Sequence, residues 1–151
     1  MKGKAKKRKL IIHTDGAIRD HPPAIGIGVV IRDGQGQVLD WISEASEGRL
    51  TCNEAEYAAV IRALEVALAY CPCEVHLRLD SLIVVNQMRG RFAVRSPALQ
   101  RLNAQTQKLV GRFRQVTFTH VRRKRNRLAD ALANEAADRV KQKTQHATGH
   151  T

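Results

Sequence analysis

The chain has 151 residues, with 26 Lys and Arg against 14 Asp and Glu and a formal net charge of +12. That length holds one domain with a sizeable core. No apolar run can span a bilayer and none follows the basic start, so secretion, membrane insertion and a membrane partner are not expected. The positive surplus points to a polyanionic partner, above all nucleic acid. Three Phe, two Tyr and one Trp exclude an extended base-stacking platform, leaving phosphate and sugar as the main points of contact.

In chain order, Lys2, Lys4, Lys6, Lys7 and Arg8 form a charge run without apolar periodicity, and residues 1–8 read as a disordered basic arm. Lys9-Leu10-Ile11-Ile12-His13-Thr14-Asp15-Gly16 reads as a buried strand that closes on Asp15 and stops at a glycine suited to a sharp turn. His21-Pro22-Pro23 marks a loop. Ile25 to Ile31 forms a second strand, with Gly26 and Gly28 placed where another backbone or a ligand comes close. Asp33-Gly34 signals a hairpin into a third strand, Gln37 to Ile42, on which Trp41 is expected to pack. Three strands joined by short turns make an antiparallel meander.

Thr51-Cys52-Asn53-Glu54 has the form of a capping box. Behind it Tyr57, Val60, Ile61, Leu64, Ala67 and Leu68 recur at helical spacing. Glu54 shares its side with Arg62 and Glu65. Glu56 shares its side with Ala59, Ala63 and Ala67, which makes Glu56 the acid held near the core. Cys52, Cys71 and Cys73 are odd in number, and Cys-Pro-Cys lacks a second pair. Neither a zinc site nor a disulfide framework is indicated, and a reducing cytoplasm fits.

Glu74 to Asp80 alternates as a fourth strand and again ends in Asp, with Ser81 as cap of a helix from Leu82 to Met88. Following a helix, this strand should be parallel to the first, with Asp80 at the carboxyl edge of the sheet. Ser96-Pro97 starts another helix, turning Leu99, Leu102 and Leu109 inward. Gln115 to Val121 is the fifth strand, Arg122 to Arg125 a dense basic loop, and Asn126 the cap of a last helix carrying Asp130 in line with Ala133, Asn134 and Ala137. The domain is expected over 9–141 and a disordered tail over 142–151.

Asp15, Glu56, Asp80 and Asp130 all fall at element ends or on core-facing helix sides. Four converging carboxylates repel one another unless divalent metal neutralises them, and hard oxygen ligands favour Mg2+, with Mn2+ as a substitute, over zinc. Two such ions about 3.5–4 Å apart can activate water and stabilise the leaving oxygen in phosphodiester cleavage.

The stretches Thr14-Asp15-Gly16-Ala17, Thr51 to Tyr57, Leu79-Asp80-Ser81 and Asn126 to Ala133 together resemble the type 1 ribonuclease H family, in the same order and separation, over roughly 10–140. The resemblance implies an α/β fold with a five-stranded mixed sheet flanked by helices, and hydrolysis of the RNA strand of RNA/DNA hybrids to leave 3′-hydroxyl and 5′-phosphate ends. By the same likeness, Asp15, Glu56, Asp80 and Asp130 match the metal-binding carboxylates and His120 a mobile proton shuttle or aid to product release. Gly16, Arg49, Thr51, Cys52, Asn53 and Asn126 fall at substrate-binding positions. Cys52 stands where Asn is frequent, which loosens the expected groove contact. The stretch between Asp80 and His120 is too short for the basic handle helix of some relatives, so Arg122 to Arg125 or the Lys-rich arm would supply that charge. A same-fold nuclease for double-stranded RNA or RNA-DNA junctions, and a non-catalytic nucleic-acid-binding module, are the competing readings. A monomer is expected.

Overall fold

The computed structural model describes residues 8–71 and 73–148, with side chains described up to 140. Strands β1 (Arg8–Asp20), β2 (Pro23–Arg32) and β3 (Val38–Glu47) form the expected meander. Helix α1 (Cys52–Ala67) crosses to β4 (Cys73–Leu79), then come α2 (Leu82–Met88), α3 (Pro97–Val110), β5 (Gln115–His120) and α4 (Arg127–Thr148). The sheet order is β3-β2-β1-β4-β5, with β4 parallel to both β1 and β5.

Helices cover both faces, and three glycines show why. A side chain at Gly16 would run into the backbone of Ala55 on α1, whereas side chains at Gly26 and Gly28 would run into the carbonyls of Ala133 and Ala129 on α4. Gly16 pairs with Ile27, so Gly26 and Gly28 lie on the opposite face of the sheet. The main core lies on the α1 side and joins Leu10, Ile12, Tyr57, Leu64, Leu77 and Val84. On the other side Val30 packs with Ala129 and Leu132. Thr51 and Glu54 close the capping box on α1, and the Ser81 and Ser96 hydroxyls accept from Val84 and Leu99 at the starts of α2 and α3.

Several expectations are corrected. Strand β1 does not stop at Asp15 or turn at Gly16; it continues to Asp20, because pairing with β2 persists to Asp20–Pro23. Gly16 serves the close approach of α1, and the chain reverses instead at His21-Pro22. Trp41 does not pack: it sits on the edge strand β3 and is 60% exposed. The tail expected to be disordered continues α4 as far as Thr148, since Lys, Gln, Thr and Ala offer no breaker before Gly149. Residues 1–7 of the expected basic arm and 149–151 lie outside the described residues, while Arg8 already belongs to β1. Among the described residues, no helix is long and apolar enough to cross a membrane.

Candidate active site

Pairing of Asp15 with Gly28 puts Asp15 on the face covered by α4. It comes within reach of Glu56, which is delivered from the other face by the first turns of α1, and of Asp80, which follows the last residue of β4. Carboxylate oxygens of Asp15, Glu56 and Asp80 lie within 4.8 Å of one another. Asp15 and Glu56 are buried and Asp80 is half-buried. The Gly16 N–H donates to both Asp15 Oδ1 (3.0 Å) and Glu56 Oε1 (3.2 Å). Glu54 points elsewhere, its carboxylate accepting from the Thr51 N–H in the capping box.

These acids are crowded and under-compensated. Burial pushes the Asp15 carboxyl well above the usual carboxylate range, and its contacts with Glu56 and Asp130 and the charge of Asp80 push it further. Burial also raises Glu56, although its contacts with Asp15 and with the Gly16 N–H oppose the shift. Glu56 Oε2 is buried without a hydrogen-bond partner among the described residues. An oxygen-only donor set with an orphaned buried carboxylate oxygen fits a hard divalent cation.

Asp130 sits on the first turn of α4 and is half-buried. Its Oδ1 accepts from Asn134 Nδ2 (3.0 Å), and Asn134 Oδ1 in turn accepts from Arg19 Nη2 (2.8 Å), while Arg19 Nε pairs with Asp138 (2.9 Å). This chain fixes the fourth carboxylate from β1. The i, i+4 spacing of Asp130 and Asn134 was visible in the sequence. Arg19, far away in the chain, left no local signal.

Asn126 is corrected from its reading as a simple cap. Its carbonyl accepts the first α4 bond, from Asp130, but its side chain is only 1% exposed. Nδ2 donates to the Thr14 carbonyl (2.9 Å) and to Asp80 Oδ2 (3.3 Å), tying β1 to the end of β4. Of the other expected residues, Arg49 and Thr51 meet around a shallow depression that Arg19 and Glu54 also line. Cys52 is exposed and Asn53 half-exposed at the start of α1. His120, at the end of β5, is exposed. Two residues before Asp15, His13 is pushed down to about 4 by burial and then by the charges of Arg32 and Arg78.

A sequence profile of the family described as "Reverse transcriptase-like" matches residues 13–136. The Bifunctional protein Rv2228c of Mycobacterium tuberculosis is 37% identical over 134 residues, which cover 89% of this chain and 37% of that protein. This chain thus spans well under half the length of that relative. Ribonuclease HI of Halobacterium salinarum is 39% identical over 126 residues, covering 82% of this chain and 62% of that protein. The solved N-terminal RNase H domain of Rv2228c from Mycobacterium tuberculosis superposes with a TM-score of 0.84 at 37% identity, over 91% of this chain and 99% of that one. LC11-RNase H1, solved in complex with RNA/DNA hybrid, gives 0.80 at 39% identity, over 87% and 98% of the two chains. With the acids gathered at the carboxyl edge of this five-stranded sheet, these matches mean that the chain belongs to the type 1 ribonuclease H family.

Proposed function

We propose that the protein is an endonuclease that hydrolyses the RNA strand of RNA/DNA hybrids, leaving 3′-hydroxyl and 5′-phosphate ends. The observation that carries this reading is the meeting of Asp15, Glu56 and Asp80, from three separate elements, in a protein of net charge +12. A module that only bound nucleic acid would gain nothing from carboxylates turned toward phosphate. Divalent metal, Mg2+ as two ions or Mn2+ in its place, would be held by Asp15, Glu56, Asp80 and Asp130. When bound, it supplies activation of water and charge stabilisation at the leaving oxygen.

The chain's own residues do the rest. The Gly16 N–H orients two carboxylates, Asn126 holds Asp80, and Asn134 holds Asp130. Exposed His120, at the end of β5, would carry a proton to or from the site. Arg49, Thr51 and Asn53, at the start of α1, would receive the hybrid, where contact with 2′-hydroxyls can distinguish RNA from DNA. The place of work would be the cytoplasm and the working form a monomer.

The test is a matched set of hybrid, RNA duplex and DNA duplex, each with Mg2+, Mn2+ or chelator. Cleavage of the hybrid alone, abolished by chelator, is the expected result. Asp15→Asn should remove turnover and leave hybrid binding largely intact; a fully active variant would overturn the assignment. Preferential cutting of the RNA duplex would favour the competing substrate.

A further inference from the structure

Directly behind the acids, on the α4 face of the sheet, lies a second charged cluster of opposite sign. His13 on β1 has Arg32 on β2 and Arg78 on β4 beside it, and the Arg32 guanidinium reaches His13 Nδ1 at 3.4 Å. Lys124 and Arg125, just before α4, and Arg127 at its start line a concavity of about 160 Å³ together with His13, Arg32 and Asn126.

The cations there are unpaired. Arg19, Arg32, Arg62 and Arg78 are the half-buried arginines. Arg19 pairs with Asp138, and Arg62 with Glu44 and Glu65. Neither Arg32 nor Arg78 has a carboxylate, nor do Lys124, Arg125 or Arg127, and no acid lines the concavity among the described residues. Arg32 on β2 and Arg78 on β4 flank His13 from either side of β1, and like charges gathered in one row repel, so an arrangement that holds them without a counter-charge is complete only with an anion. The space also sets the size of that anion. Drug-sized ligands fill about 300–1,000 Å³, so a whole nucleotide would not be enclosed, whereas one phosphate group with a few waters fits.

We infer that the concavity between His13, Arg32 and the Lys124–Arg127 turn is a phosphate-binding site, distinct from the carboxylate centre and from the Arg49–Thr51 depression, and that it holds a backbone phosphate of a nucleic-acid strand. Exposure of Lys124, Arg125 and Arg127 leaves the rim open to a continuing strand. Arginine forks suit phosphate oxygens, and the first residues of α4, Arg127 to Ala129, line the same concavity. Because Asn126 joins this concavity to Asp80, a strand seated here would be registered against the carboxylates.

The test uses the full chain in chelator, so that no metal recruits phosphate to the acids and cleavage plays no part. Two probes are titrated, inorganic phosphate alone and a short single-stranded oligodeoxythymidylate, while the Nε–H resonances of Arg32 and Arg127 are followed by NMR. Both resonances should shift with the oligonucleotide. In the variant joining Arg32→Gln to Arg127→Gln, the slope of log affinity against log salt should become shallower by about 0.7, the loss of one single-strand phosphate contact. Arg127→Gln alone, at an exposed position, should make the slope shallower by a smaller amount in the same direction and guards against misfolding of the double variant. Shifts with inorganic phosphate but an unchanged oligonucleotide slope would keep the site and reassign its ligand to a free phosphate. No shift with either probe, or an unchanged slope with unshifted arginines, would overturn the site. Loss of hybrid cleavage as such bears on the proposed function and leaves this result untouched.

Discussion

The acidic centre at Asp15 and the basic concavity at His13 stand two residues apart on the same face of β1, and each crowds like charges. They differ in burial. Asp15 and Glu56 are almost wholly enclosed, whereas Arg32 and Arg78 are half-exposed and Lys124, Arg125 and Arg127 exposed. A carboxylate can relieve crowding by keeping its proton, which is what the raised Asp15 and Glu56 express. A guanidinium cannot shed its proton in a protein, so a cluster of arginines must stay in touch with water until an anion arrives. Crowded acids can be buried; crowded arginines cannot.

The strongest way to break this comparison is to push α4 away from both clusters at once. Gly28→Ala drives a methyl group into the Ala129 carbonyl, a backbone atom with no rotamer to adopt. A loss of about 3 kcal/mol in unfolding free energy is expected, at the upper end for overpacking. Denaturant unfolding measures it; a neutral result would mean that α4 rides further from the sheet than its contacts require.

Asp15→Asn probes the acidic side by removing the crowding. In chelator the folded state holds protons on Asp15 and Glu56 that the unfolded chain has released, so native stability falls as pH rises above the ordinary carboxyl range. The variant should therefore be more stable than the parent at neutral pH by about 1–3 kcal/mol, the cost of one poorly compensated buried polar group. The gain should vanish in acid, where both states are protonated. Melting curves across pH check this, and a gain constant with pH would contradict it.

The smallest effect belongs to the basic side. Arg78→Gln removes one of the two like charges that flank His13 across β1 and should raise stability in phosphate-free, low-salt buffer by about 0.5 kcal/mol. Added salt should erase that gain, because the affected groups are partly in water. A destabilised variant would mean that Arg78 makes a favourable contact instead.

Much of the fold is local and was legible. The capping box at Thr51–Glu54, the caps Ser81 and Ser96, the hairpin at Asp33-Gly34 and the alternation of β4 each rest on neighbours within a few residues, and each appears as read. The choice of Glu56 over Glu54 followed from helix geometry and agrees with their burial. Gly16 was misread because a strand-ending glycine and a glycine under a crossing helix look alike in sequence, and Trp41 because alternation does not say which strand is at the edge.

By itself, the sequence determined which residues could form each element and which acids stood at element ends, since propensity, capping and periodicity act over a few residues. Tertiary structure alone decided that Arg19 reaches Asn134, that Asn126 bridges Thr14 and Asp80, and that Arg32, His13 and Arg78 stand side by side. These contacts join groups far apart in the chain, and only strand pairing and the docking of α4 bring them close enough for charge and hydrogen bonding to act.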